Sequence, residues 1–371
     1  MELSNRLLSL DVFRGITIAA MIMVNNPGSW SYVYKPLGHA EWNGCTPTDL
    51  VFPFFLFIVG ISISLALTKR KERGDAHGAI IKKILKRTAI IFLLGIFLAG
   101  FPYFNFSTIR IPGVLQRIAL VYGIAAIIFL KTNWKTQTYI GIGLLMLYWA
   151  LMTLVPVPDG TPPNLDAETN LGAWLDRVLM DGHLWSQSKV WDPEGLLSTI
   201  PAITSGLAGV LTGTWLRTKH KPYKKITGML GVGAILIVIA LFWDMAFPIN
   251  KKIWTSSYVL YTSGIGLQML AVVYWLVDVL EYKKWIKPFV VYGTNALAIY
   301  FLSGIVAKSL YMIKWTTTEG NTESLQQWLY NTFFLSWTSG FHASFAWAIM
   351  NVLFFLGIAW ILYARKIFIK V

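Results

Sequence analysis

His39 is one of only five histidines, and it stands ten residues before Asp49, an acid placed where a long apolar run begins. A neutral imidazole can serve as general base or nucleophile, and a nearby carboxylate fixes which ring nitrogen carries the proton. The stretch around them is polar: Glu41, Trp42, Asn43 and Thr46 follow His39, and Asn25 and Asn26 close the preceding apolar run. Asn25 and Asn43 are amide donors of the kind that stabilise a developing oxyanion. The same residues have a plainer use. Thr46 and Asp49 suit the start of a helix, and His39 suits a solvated loop.

Five further groups of polar residues interrupt apolar sequence, where polar groups are costly. Gln116 and Arg117 come early in a run that follows Pro112. An arginine there keeps its charge and needs a carboxylate, a phosphate or a solvated cavity, with Asp244 and Glu194 as candidate ion-pair partners. Trp191 to Gly195 open another run, and acids at that position favour a helix N-terminus. Asn250, Lys251, Lys252, Trp254, Ser256, Ser257 and Tyr258 form the third group, in which a lysine either binds an anion or snorkels to an interface. Asn295, after Gly293, is a lone buried amide, and Asp11 and Arg14 either pair or contact phosphate. The sequence contains no Walker-type phosphate loop, HExxH or GxSxG. One cysteine, Cys45, excludes a multi-cysteine metal site, and no metal is expected. Gly264 and Gly266 read as helix-packing residues.

The elements that must position these groups are membrane helices. Of the 371 residues, 55% are hydrophobic and 13% charged, and mean hydropathy is +0.56; soluble domains carry about 25% charged residues. A span needs roughly 20 mostly apolar residues. Ten are expected, at 10–26, 49–67, 84–101, 113–130, 138–155, 195–216, 226–247, 257–279, 288–310 and 344–364. Residues 325–339 suit a re-entrant or interfacial helix, and the proline-bearing loop 156–194 reads as irregular. The short run 16–24 lacks a small-residue cleavage site, so no cleavable signal peptide is expected. The net charge of +14 would suggest nucleic acid on a soluble protein. Here the cations gather in alternate loops, from Lys69–Arg73 and Lys82–Arg87 through Lys131, Lys135, Arg217–Lys225 and Lys283–Lys287 to Arg365, Lys366 and Lys370. The positive-inside rule then sets both termini in the cytoplasm. There is no internal repeat, and residues 1–371 read as one domain with membrane lipids, not nucleic acid, as surroundings.

At these residues the sequence resembles the heparan-alpha-glucosaminide N-acetyltransferase family, within the transmembrane acyltransferase superfamily. The matching stretches are SLDVFRG (9–15), HAEWNGCTPTDLVFPF (39–54), IPGVLQR (111–117), DPEGLLSTI (192–200) and PINKKIWTSSY (248–258). Weaker matches are YGTNALAIY (292–300) and residues 361–369. The resemblance implies a bacterial-type form without the luminal N-terminal extension, lying in the inner membrane. It implies acetyl transfer from cytoplasmic acetyl-CoA to the amino group of a glucosamine-type sugar or glycan at the extracytoplasmic side, and a homodimer. It makes His39 the catalytic residue, with Asn25 and Asp49 in the site and Arg117 on the CoA side. Gln116, Arg14, Lys251, Trp254, Ser257 and Asn295 are the other polar residues expected to hold the donor. Two other readings stay open: O-acylation of an envelope glycan, and small-molecule transport, for which the expected inverted repeats are not seen.

The loop charges generate a topology prediction. Reporter fusions after Lys135 and after Glu168 are expected to report cytoplasmic and periplasmic locations respectively. The same side for both contradicts the arrangement.

Overall fold

All ten expected runs become helix, as the bilayer requires when no water is present to satisfy backbone groups. The computed structural model describes residues 7–316 and 320–369; of the cations named above, Lys370 lies outside them. In chain order the helices are α1 (Leu8–Asn25), α2 (Val51–Glu72), α3 (His77–Gly100), α4 (Val114–Lys131), α5 (Trp134–Leu154), α6 (Leu171–Met180) and α7 (Thr199–Leu216). Then follow α8 (Pro222–Asp244), α9 (Ser256–Tyr274), α10 (Lys287–Thr294), α11 (Ala296–Met312), α12 (Leu325–Tyr330) and α13 (Gly340–Ala364). A two-stranded ribbon pairs β1 (Lys314–Thr316) with β2 (Thr322–Ser324). The protein is an all-α polytopic membrane protein.

Among the described residues, seven helices are long and apolar enough to cross a membrane on their own: α1, α2 with its leading turn, α4, α5, α8, α9 and α13. The pair α10–α11 makes an eighth, but it is bent by 82°. The continuous helix expected over 288–310 is therefore wrong. Asn295 stands at the break, where its side chain donates to the Ile367 carbonyl (3.0 Å) and accepts from the Ile369 amide (2.8 Å), tying the C-terminal segment to the corner. The other two expected spans are α3 and α7. α3 starts at His77, seven residues before the expected start, because Lys82, Lys83, Lys86 and Arg87 ride on its first turns. α7 starts at Thr199 rather than 195, because residues 192–198 are folded as turns instead. The loop 156–194 is not irregular throughout: Asn170 caps α6 by accepting from the Ala173 amide at 3.0 Å. Residues 325–335 form a short helix and a wide turn.

Small residues let the helices touch along their backbones. A Cβ on Gly60 of α2 would lie 1.9 Å from the Gly206 carbonyl of α7, and one on Gly209 would lie 1.9 Å from that of Phe57. Gly15 of α1 meets the Phe289 carbonyl of α10 in the same way. Gly264 does pack helix on helix, against Gly233 of α8. Close approach of this kind replaces the hydrophobic drive that lipid-immersed helices lack.

Short connections make the helices alternate in direction. The N-termini of α2, α4, α7 and α9 thus gather at one end of the bundle, the site end, with the polar segments 26–50, 182–198 and 245–255. The cation-rich loops gather at the other, basic end. Some of those cations hold the helices themselves: Lys71 donates to the last carbonyls of α4, at Phe129 (2.6 Å), and Lys225 to Leu216 of α7 (2.7 Å). Lys308, on α11, does the same at the site end for α3, reaching Leu98, Ala99 and Phe101.

The helix contacts yield a paired stability prediction. Gly60→Ala is expected to lower the thermal midpoint in detergent by an amount matching about 1–3 kcal/mol of overpacking. Gly231→Ala, in α8 with open space around it, is expected to be neutral or slightly stabilising. Equal effects would show that the α2–α7 contact tolerates a side chain.

Candidate active site

Polar backbone brought to the end of an apolar bundle has to be satisfied locally, and Asp49 does this for the loop that carries His39. The chain turns into α2 through Pro47–Leu50, with Thr46 and Asp49 forming a reciprocal capping box. Asp49 Oδ2 accepts from the backbone amides of Ala40 and Thr46, both at 3.0 Å. The Thr46 hydroxyl sits 3.0 Å from the same oxygen and 2.7 Å from the Gly38 carbonyl. Asp49 Oδ1 lies 2.6 Å from His39 Nδ1. The helix-capping and catalytic readings of Asp49 are therefore one arrangement: a single carboxylate caps the turn and holds the imidazole.

The pair is unevenly exposed. The Asp49 side chain is 1% accessible and that of His39 is 38%. A buried carboxylate with no proton to give must accept at Oδ1, so Nδ1 carries the hydrogen and Nε2 presents a lone pair outward. The floor beneath is fixed too, since the Tyr258 hydroxyl of α9 donates to the Asp49 carbonyl at 2.5 Å.

A second loop braces the first. Gly44 and Asn250 form a parallel bridge, with the Gly44 amide donating to the Ile249 carbonyl at 2.7 Å. Asn250 Nδ2 donates to Asn43 Oδ1 at 3.1 Å, and the Lys252 ammonium donates to the Glu41 carbonyl while lying 5.9 Å from the Trp42 ring centre. Asn250 Oδ1 accepts from the amides of Lys252 and Ile253, closing the turn, and Trp254 then adopts a left-handed φ of 52°. Between these anchored neighbours, Lys251 is half-buried, and its ammonium makes no hydrogen bond or ion pair with the described residues. Burial lowers its pKa, against the pull of Glu194 and Asp49. Burial, then the Asp49 charge, pushes the Cys45 thiol up to about 12, so it stays protonated.

The third segment, 192–198, is a charge network that the sequence only half disclosed. Arg110 grips Asp192 with two nitrogens (2.8 and 2.5 Å) and reaches Glu194 at 2.6 Å. Burial lowers the pKa of Arg110, but the two acids more than reverse it. Burial likewise raises Asp192 despite Arg110, whereas Glu194 is held low by Arg110 and Lys251 against the cost of burial. Asp176 of α6 accepts from the Leu196 amide at 2.9 Å, and burial pushes its carboxyl up to about 6. A Cβ on Gly195 would lie 2.1 Å from Asp176 Oδ2, so only glycine fits beneath α6.

Arg117 completes this segment from below. Its guanidinium donates to the carbonyls of Pro193 (3.1 Å) and Gly195 (3.0 Å) and to the Ser198 hydroxyl, and stacks 5.0 Å from the Trp254 ring centre. The side chain is 1% exposed. Neither expected ion-pair partner is used. Glu194 pairs with Arg110, and Asp244 accepts from the Ile249 amide at 2.5 Å. Arg117 instead takes the carbonyls on both sides of Glu194, and this is what delays the start of α7.

The other expected residues fall in three places. Gln116 packs against Gly95 of α3, while Trp254 and Ser257 are buried, donating to Ser205 Oγ (3.3 Å) and the Phe247 carbonyl (2.6 Å). Arg14 and Asn295 lie at the basic end. Arg14 bonds Asp11 (3.0 Å), Ser62 (2.8 Å) and the Gly293 carbonyl (3.3 Å). Asn25, the last residue of α1, is exposed and makes no hydrogen bond to His39 or Asp49. Arg110, Asp176 and Lys308 were not singled out from the sequence. The two acids of Asp192–Glu194 called for a cation, but spacing alone points to the nearer Arg177, which donates to the carbonyls of Glu168 and Val190 instead. Among the described residues no cluster of histidine, cysteine or acidic side chains could hold a metal ion.

A family profile described as "Heparan-alpha-glucosaminide N-acetyltransferase, catalytic" matches residues 6–227. Two curated relatives carry that enzyme's name. The human protein is 29% identical over 423 aligned positions, covering 99% of this chain and 60% of the relative. The mouse protein is 29% identical over 354 positions, covering 80% of this chain and 53% of the relative. The chain thus spans a little over half the length of these relatives. The matched region holds the His39–Asp49 pair, Arg117 and the 192–198 network, and it takes in more than half of the sequence. The chain belongs to the family of heparan-alpha-glucosaminide N-acetyltransferase catalytic domains.

Proposed function

We propose that this protein is a membrane-embedded acetyltransferase that moves an acetyl group from acetyl-CoA to the amino group of a glucosamine-type sugar. The observation that carries the reading is the His39–Asp49 pair: an oriented imidazole with an outward lone pair, on a loop held by hydrogen bonds to a buried carboxylate. The membrane is the bacterial inner membrane, the site end faces outward and the basic end faces the cytoplasm. The Lys/Arg asymmetry supports that sidedness.

In this mechanism His39 Nε2 takes a proton from the attacking amine as the new C–N bond forms and the C–S bond of the thioester breaks. The proton then passes from Nε2 to the departing thiolate. Asp49 holds the ring and offsets the imidazolium charge while it exists. Asn25, the exposed amide that closes α1, is suited to the developing oxyanion. In the ping-pong version of the same chemistry His39 Nε2 carries the acetyl group between donor and acceptor.

Acetyl-CoA supplies the activated acyl group. The half-buried, unpartnered Lys251 fits one of its polar or anionic groups near the site end. Arg14, at the basic end, and Asn25 both lie on α1, about 16 Å apart along the axis, the scale of an extended pantetheine arm. Arg14 and Asn295 thus suit the phosphate-bearing end of the donor. Gln116, Arg117, Trp254 and Ser257 shape the path from behind, Arg117 acting through the 192–198 segment that it anchors. A base at His39 serves a hydroxyl acceptor too, so amino and hydroxyl sugars belong in the same assay.

His39→Ala is expected to keep the fold and acetyl-CoA binding and to lose transfer to glucosamine by about 100-fold or more, measured as CoA release by purified protein. Mass spectrometry of wild type given acetyl-CoA alone separates the two versions: acetyl on His39 supports the carrier, and its absence supports the base. Near wild-type transfer by His39→Ala contradicts both.

A further inference from the structure

Outward of the Gly233–Gly264 crossing, α8 and α9 part and leave a cavity of about 410 Å³ beside the catalytic loop. Its walls are Asn43, Gly44 and Cys45 of that loop, Asp244 at the end of α8, and Tyr261 of α9. Small-molecule sites run from about 300 to 1,000 Å³, so the space suits a sugar unit. The polar groups in the wall are under-used. Asp244 gives one oxygen to the Ile249 amide, and the other takes no hydrogen bond from the described residues. The Tyr261 hydroxyl makes none, and Asn43 uses its amide oxygen while its NH₂ stays free. The cavity is also coupled to the reaction centre: Tyr261 lies one turn along α9 from Tyr258, which holds the Asp49 carbonyl.

We propose that this cavity is a second acceptor subsite, which holds the sugar adjoining the one acetylated and favours an adjoining unit that carries a free amino group. The free carboxylate oxygen of Asp244 pairs with the ammonium, while Tyr261 and the Asn43 amide serve ring hydroxyls. The reacting amine itself must be neutral to attack, so a carboxylate serves it poorly and serves its protonated neighbour well. A neighbouring uronate is disfavoured for the same reason, since it sets one carboxylate against another. This rests on the amino-sugar reading above and narrows it to glycans rich in free glucosamine.

The test compares glucosamine, a β-1,4-linked glucosamine disaccharide, and the same disaccharide N-acetylated on the adjoining unit, with protein in micelles free of amine-bearing lipid. Wild type is expected to favour the free disaccharide over the capped one by about tenfold in kcat/KM, the scale of one charge-assisted hydrogen bond. Asp244→Asn keeps an oxygen for the Ile249 amide, and is expected to erase that preference. Equal use of both disaccharides by wild type overturns the proposal. So does an Asp244→Asn protein that slows monosaccharide and disaccharide alike, or a preference abolished by adding phosphatidylethanolamine, which would make the occupant a lipid headgroup. If no amino sugar is acetylated, the activity reading has failed separately. Calorimetric titration of the free disaccharide then still reads the subsite: tighter binding to wild type than to Asp244→Asn supports it, and equal binding overturns it.

Discussion

The Asp49 carboxylate is buried to 1% at the mouth of an apolar bundle, and a charge in that position persists only if its oxygens are filled. Two backbone amides and one imidazole fill them. Everything else at the site end follows from keeping those donors in place. Tyr258 fixes the backbone of Asp49, and Asn250 and Lys252 fix the loop through Asn43, Gly44 and Glu41. The loop from α8 to α9 is itself closed around the Asn250 side chain. These contacts converge on one outcome, an imidazole held by Asp49 through Nδ1.

The neighbouring charge network solves the same problem with a different element. Asp192 and Glu194 are brought to the site end by turns instead of a helix, and Arg110 neutralises them from the opposite loop. Arg117 donates to the Pro193 carbonyl and shares the Gly195 carbonyl with the Ser198 and Thr199 hydroxyls. A cation deep in an apolar helix is thus spent on backbone, which is cheaper than leaving buried carbonyls unsatisfied. At the basic end Lys71 and Lys225 treat the ends of α4 and α7 in the same way, so lysines of the cation-rich loops also cap helices.

The helical runs were legible because a bilayer demands length and apolarity, and both can be counted along a chain. The His39–Asp49 pair was legible because a histidine and an acid at the end of an apolar run have few uses. What failed depended on contacts far apart in sequence. The bend at Asn295 exists because residues 367–369 bond to that side chain. The late start of α7 depends on Arg117, and the partner of Asp192 lies 82 residues away at Arg110. Arg117 itself was recognised as significant but given the wrong ion-pair partners, since no spacing rule distinguishes a carbonyl from a carboxylate as its target. Asn25 ends α1 at the site end, and nothing local in the sequence tells that it stays clear of the His39–Asp49 pair.

The account stands on Asp49 fixing His39 with its Nε2 lone pair outward, and Asp49→Asn probes that with little change in shape. An asparagine can still accept from the Ala40 and Thr46 amides, but its NH₂ directed at Nδ1 favours the opposite tautomer. The rate of acetyl transfer from acetyl-CoA to glucosamine, measured across pH 6–9 for both proteins, is the direct reading. The expected result is a folded Asp49→Asn protein that binds acetyl-CoA and transfers at least about 100-fold more slowly. A folded variant with a near wild-type rate and an unaltered pH profile would contradict the central claim.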